Sequence, residues 1–216
     1  MSTHASSRQQ VLARIRAATH PVETAAAAYA RLARPYIRRG QRAVGSCMEL
    51  LIERLRDYDA EVVEAAPEEL SAAIAARLAA SGRRIFAAPP GLPAEWLISG
   101  YEWWIDRGLS AAEIEKAEGV LTAASGAIAD SGTIVLHHSV AEGRRVLTLL
   151  PDWHLCILRA SQVVETLPEY FDLCAQPPAL ATYISGPSAT ADIEMTRIKG
   201  VHGPRCLQVI MVRDTN

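Results

Sequence analysis

The sequence predicts a three-layer α/β/α domain built on a mostly parallel sheet, preceded by a basic helical arm. Three observations carry that expectation. Residues 46–88 alternate helix, strand, helix and strand, the pattern of parallel strands joined by right-handed crossovers. Glycine-bearing turns then punctuate a series of short apolar runs. With 216 residues, half of them hydrophobic, the chain is also long enough to bury a full core.

Taken in order, residues 6–18 place Val11, Leu12 and Ile15 at helical spacing, and the alanine-rich stretch 22–34 is helix-prone up to Pro35. Ser46-Cys-Met-Glu49 reads as a capping box, with Leu50, Leu51 and Leu55 as the buried stripe of the helix it opens. A strand at Glu61–Ala65 and a helix from Pro67 through Ala80 follow, the latter turning Leu70, Ile74 and Leu78 inward and ending at Gly82. Arg84–Ala88 is the next strand, and 91–109 reads as a Pro- and Trp-rich connection. Ser110-Ala-Ala-Glu113 is a second capping box; Gly119–Ala124 and Thr133–Leu136 read as strands, the latter entered through Asp130-Ser-Gly. Leu155–Leu158 is a further strand, and Thr166 caps a helix containing Leu167, Tyr170 and Phe171.

Composition excludes several function classes. The start of the chain has no apolar h-region and no run approaches a membrane span, so a cytoplasmic protein is expected, with no membrane partner. Cys47, Cys156, Cys174 and Cys206 form no C-x-x-C pair, no strand is followed by G-x-G-x-x-G, and no flavin pattern is visible, so neither metal nor cofactor is expected. The cysteines read as buried small hydrophobes. Net charge is −2, but residues 1–42 hold eight arginines against Glu23, +7 against −9 for the remainder. A basic arm of that kind suits an acidic protein surface or a merely solvated face; no recognition motif points to nucleic acid.

The densest chemistry lies near the end. Ala181–Ile184 is a short strand running into Ser185-Gly-Pro-Ser188, which has the composition of a turn that opens a helix, with Asp192 and Glu194 in its early turns. A helix N-terminus after a glycine turn suits a phosphate- or carboxylate-sized anion. Its dipole contributes only about 0.3–1 kcal/mol, whereas millimolar binding needs about 4 kcal/mol, so an arginine must assist: Arg144, Arg145 or Arg205. In an open α/β sheet such ligands usually sit beyond the carboxyl ends of the strands. His202, in the tight turn Gly200–Pro204, is the candidate for proton chemistry, balanced against a turn histidine bonded only to backbone.

The same residues carry a resemblance. Ser185-Gly-Pro-Ser-Ala-Thr-Ala-Asp-Ile-Glu194 with Gly200-Val-His-Gly-Pro204 resembles the signature of the lactate-utilization protein C family, the LUD domain. Ala129-Asp-Ser-Gly-Thr-Ile-Val-Leu136 and Leu149-Leu-Pro-Asp-Trp-His154 resemble its two other motifs, in the right order. The resemblance covers residues 46–213, giving an arm at 1–45 and a LUD-type domain at 46–216. It implies a fold similar to the ribose-phosphate isomerase and CoA-transferase-like group. By motif position it implies ligand-binding roles for Asp130, Gly132, Thr133, Gly186, Pro187, Ser188, Thr190, Asp192, Glu194 and Gly203, with Pro151, His154 and Pro204 also matching.

The function so implied is part of the oxidation of L-lactate to pyruvate, alongside iron–sulfur partner proteins. Since nothing in the sequence marks a place for the two electrons, the expected role is a non-redox subunit holding a small anionic metabolite. The rival is a stand-alone enzyme acting on a sugar phosphate, acyl-CoA or related anion.

Overall fold

In the computed structural model of the protein, the residues described are 6–19, 25–174, 176, 178–190, 198–199 and 203–213. The chain divides into two units, Met1–Tyr36 and Ile37–Asn216. The first contains α1 (Ser7–Ala18) and α2 (Ala25–Ala30). Ser6 caps α1, accepting from the Gln9 amide while the Gln9 side chain accepts from the amide of Ser6. The helix buries no residue: Val11 and Ile15 stay exposed. α2 is shorter than the 22–34 stretch suggested, and Arg34 folds back over the Tyr29 ring at 4.5 Å.

The second unit opens with a strap rather than a helix. The backbone N–H of Arg42 donates to Glu165, and Arg38 pairs with Asp172 at 2.7 Å. α3 (Val44–Asp57) follows, its first turn preceded by Ala43 without a side-chain cap. The capping box expected at Ser46 is therefore not one: Ser46 already lies inside the helix. The apolar stripe is as expected, with Leu51 and Leu55 fully buried and Leu50 half-buried. Next come β1 (Glu61–Ala65), α4 (Leu70–Ser81), β2 (Ile85–Ala88) and β3 (Glu102–Ile105). Leu70, Ile74 and Leu78 are the buried face of α4.

β3 lies inside the stretch that reads as a connection. It adds a parallel strand beyond β2, and Trp103 packs against Phe86, ring centroids 5.5 Å apart. α5 (Ala111–Ile114) carries the Ser110–Glu113 box as expected. The remaining elements are β4 (Gly119–Ala123), β5 (Gly126–Ile128), β6 (Thr133–Leu136), β7 (Trp153–Arg159), β8 (Val163–Val164), α6 (Leu167–Leu173), β9 (Thr182–Ile184), β10 (Ala189–Thr190), β11 (Ile198–Lys199) and β12 (Cys206–Val212). Thr166 caps α6 with Glu169 as its reciprocal partner.

Six strands form one wholly parallel sheet in the order β1-β12-β7-β4-β2-β3. Alternation along β7 decides what covers each face. Cys156 and Leu158 join the cluster under α3, whereas Leu155 and Ile157 join the one under α4. With helices on both faces, the near-continuous apolar reading of β4 and β7 is what a central parallel strand requires. A second sheet, β8-β5-β6-β9, is largely antiparallel and was not expected from the sequence. Cys206 is exposed and Cys174 half-buried, so only Cys47 and Cys156 fit the reading as core hydrophobes. Among the described residues, no helix is long and apolar enough to cross a membrane.

Candidate functional site

A cleft of about 230 Å³ opens where the two sheets meet. Its floor is His154 from β7 and Leu207 from β12, paired to each other in register. One wall is the turn from Arg145 to Thr148; the other is the run from Thr182 to Ser188, closed by Gly203 and Pro204. His154 and Leu207 are the second residues of their strands, so the cleft lies at the amino ends of the parallel strands, not beyond their carboxyl ends as expected.

The turn at Ser185–Ser188 explains why the wall stands there. Gly186 has φ +80, and a Cβ on it would lie 2.5 Å from the Tyr58 Cβ at the end of α3. Only glycine fits that conformation at that distance. The chain leaves the turn by donating the Ser188 amide to the Pro204 carbonyl at 2.8 Å, joining the two motif turns. It then enters β10, so the helix expected to open directly after Ser188 is not there. Ala189 and Thr190 are extended and pair with Lys199 and Ile198. The helix-dipole argument for this turn falls with it.

The expected site residues separate into four groups. Gly186, Pro187, Ser188 and Gly203 line the cleft. Thr133 stands behind it, its Oγ1 2.7 Å from the Ser185 hydroxyl and 2.8 Å from that of Ser131. Asp130 and Gly132 do not reach it: Asp130 is exposed, and Gly132 packs on α3, where a Cβ would sit 2.6 Å from that of Arg54. Thr190 is placed by its backbone in β10, and Asp192, Glu194 and His202 lie outside the described residues.

The three arginines also part company. Arg144 is committed to Asp106 through Nε at 2.8 Å and Nη2 at 2.6 Å. That bond holds the buried Asp106 carboxyl below the usual carboxylate range. Arg205 is committed to Asp152 in the same two-pronged way, at 2.6 and 2.9 Å. Arg145 is different. Its Nη1 donates to the Thr148 hydroxyl at 3.0 Å and, more weakly, to the Thr148 carbonyl at 3.4 Å. Among the described residues it has no carboxylate partner, and burial alone pushes its pKa down. A half-buried guanidinium lining a cleft, with no carboxylate beside it among the described residues, has the chemistry that an anion calls for.

His154 beneath it is 1% exposed, and its Nε2 lies 2.8 Å from the Thr122 hydroxyl. Burial first, then the positive charge of Arg145, drives its pKa down to about 4. It is therefore a neutral imidazole at physiological pH, a hydrogen-bonding group rather than a second cation. Among the described residues, no cluster of three or more His, Cys, Asp or Glu side chains could hold a metal ion. The sequence reading missed Thr148 and Thr182 as cleft residues. The one available signal was position: each is a hydroxyl residue within six of a motif glycine or arginine, on a segment reading as apolar.

A parallel α/β domain whose cleft, at the amino ends of its central strands, is lined among the described residues by hydroxyls and one arginine defines the class. The LUD domain family matches residues 48–212, and the chain belongs to it. It is 43% identical over 164 residues to "Lactate utilization protein C" of Deinococcus radiodurans, spanning 74% of this chain and 76% of that one. The protein of that name in Bacillus subtilis is 36% identical over 136 residues, 57% of this chain and 55% of its own. The chain therefore spans about half the length of the Bacillus relative. A crystal structure of a DUF162 family protein from Deinococcus radiodurans superposes with a TM-score of 0.69 at 34% identity, covering 80% of this chain and 99% of that one.

Proposed function

We propose that this protein is a component of a lactate-utilization system, in which its cleft holds a small carboxylate while iron–sulfur partner proteins carry the electrons. The names of the relatives support the setting, and the guanidinium of Arg145, which meets no carboxylate among the described residues, carries the chemistry. Hydrogen bonds to a charged group are worth about 1.5–3 kcal/mol each, so two from Arg145 reach the roughly 4 kcal/mol that millimolar binding needs. Ser185 and Ser188 sit across the cleft to receive the remaining oxygens. Gly203 follows His202 directly and lines the cleft, which supports His202 as the group that exchanges a proton with the bound acid.

Partnership with iron–sulfur proteins rests on what the sequence lacks, a binding motif for any electron carrier, and on the basic arm as a docking element. The rival, a stand-alone enzyme on a phosphorylated or CoA-linked substrate, draws less support, because a dianion or a long nucleotide tail calls for more than one cation. The test is calorimetric titration of the purified chain with L-lactate, pyruvate and inorganic phosphate, repeated with Arg145→Gln. Millimolar or tighter binding of the carboxylates, weakened at least tenfold by the substitution, is expected. Phosphate binding tighter than either acid would favour the rival. A parallel assay with an artificial electron acceptor should show no turnover of lactate until the iron–sulfur partners are added.

A further inference from the structure

One cleft residue is held in a defined hydrogen-bonding sense by a histidine outside the cleft. His138 has φ 57, a left-handed conformation rare for a side-chain-bearing residue but commoner for His, Asn and Asp. Both of its ring nitrogens are engaged. Nδ1 lies 2.8 Å from the Gly143 carbonyl oxygen and Nε2 lies 2.8 Å from the Thr182 hydroxyl. A carbonyl oxygen only accepts, so the proton of the neutral ring sits on Nδ1 and is donated to Gly143. Nε2 then offers a lone pair, and the bond to Thr182 requires the threonine to donate its one hydroxyl proton. What Thr182 has left for the cleft, which it lines, is lone pairs.

The loop that carries these contacts is fixed from a second side. The buried Glu142 carboxylate accepts from the Ser125 hydroxyl and from the His137 amide. Arg145 and Thr182 are thus set by the same loop: one as donor for a charged oxygen, the other as acceptor. A carboxylate held on Arg145 would share the cleft with Thr182, whose hydroxyl oxygen, its proton given to His138, can accept but not donate.

We propose that Thr182, oriented by His138, is a specificity-determining residue that selects a 2-hydroxy acid over the corresponding 2-oxo acid. This rests on the anion-binding reading of the cleft. A 2-hydroxy acid can donate its hydroxyl proton to Thr182. A 2-oxo acid brings only another acceptor, leaving two sets of lone pairs opposed. Sites that pair with a substrate hydroxyl discriminate strongly against analogues lacking it.

The experiment is isothermal titration of the full chain with L-lactate and with pyruvate at about pH 8.5, above the range in which histidine ordinarily takes up charge. Lactate is expected to bind about tenfold more tightly, the value of one hydrogen bond. Thr182→Val should bring the two affinities to within about twofold, while Thr182→Ser keeps the preference. His138→Asn tolerates the left-handed backbone but cannot place an acceptor at the position of Nε2, and it should lose the preference as Thr182→Val does. Equal binding of both acids by the wild-type chain, or a ratio unmoved by Thr182→Val while both acids still bind, overturns the inference alone. Binding of neither acid by the wild-type chain overturns the anion-binding reading and this inference together.

Discussion

The two main sheets of this protein are held by different forces. In the six-stranded sheet the interior is almost wholly apolar: Leu121, Leu155, Ile210 and Val212 are buried on the α4 face, and Cys156, Leu158, Val209 and Met211 on the α3 face. In the four-stranded sheet the decisive contacts are directional: Thr133 to Ser185, His138 to Thr182 and His137 Nε2 to the Tyr170 hydroxyl at 2.6 Å. Burial is strong but indifferent to orientation, whereas a hydrogen bond aims an atom. The first sheet therefore supplies stability and the second supplies position, and the cleft lies where a rigid floor meets an aimed wall.

The sharpest way to break this contrast is to remove mass from the floor. Leu155→Ala, in a fully buried position, should cost about 2–5 kcal/mol in chemical denaturation. Carboxylate affinity of the folded fraction should stay within about twofold, because the aimed wall is untouched. A large loss of affinity would mean that the two sheets are not separable in this sense.

The next effect is in pH. His154 has a pKa of about 4 in the folded chain, below the ordinary value of about 6.5, so the unfolded state binds the extra proton in between. Stability is therefore complete above about pH 6.5 and falls as the pH drops toward 4, by about 3 kcal/mol in all. His154→Gln should flatten that part of the profile of unfolding free energy against pH. An unchanged slope would point to another group.

Neighbouring arginines give a test within four atoms of backbone. Arg144→Leu leaves the buried Asp106 without its partner and should lower the melting temperature by several degrees, as breaking a buried pair does. Arg145→Leu removes a cation that meets no carboxylate among the described residues, and should leave the melting temperature unchanged or raise it while abolishing anion binding. The opposite pattern would reverse the roles assigned to the two residues. The smallest expected effect is Ser110→Ala, which removes the cap of α5 for about 1 kcal/mol and leaves binding alone.

These residues also show how far the sequence could be read. The helix–strand alternation located β1 and β2 within one residue and the starts of α3 and α4 within three, because buried helices and parallel strands advertise their period. β5 and β8 have three and two residues, too few for alternation to register, whereas β9 is legible as the short run Ala181–Ile184 that meets the Ser-Gly-Pro-Ser turn. β3 hid among prolines and tryptophans, since an edge strand need not be apolar throughout. At the site, Gly186 could be read as a turn glycine from its neighbours, but what it presses against is set by α3, over a hundred residues earlier. The choice among Arg144, Arg145 and Arg205 was likewise invisible, because it turns on which of them finds an aspartate in space.

The guanidinium of Arg145, with no carboxylate beside it among the described residues, has a consequence for the proposed anion cleft. A cationic receptor in a solution of salts is contested: chloride, phosphate and bicarbonate would compete for it at their ambient concentrations. Apparent affinity for any carboxylate is then the true affinity divided by that competition, and it rises as the background anions are diluted. On the proposed reading, such a cleft would act as a threshold device, responding to a metabolite only once that metabolite outnumbers the common ions around it.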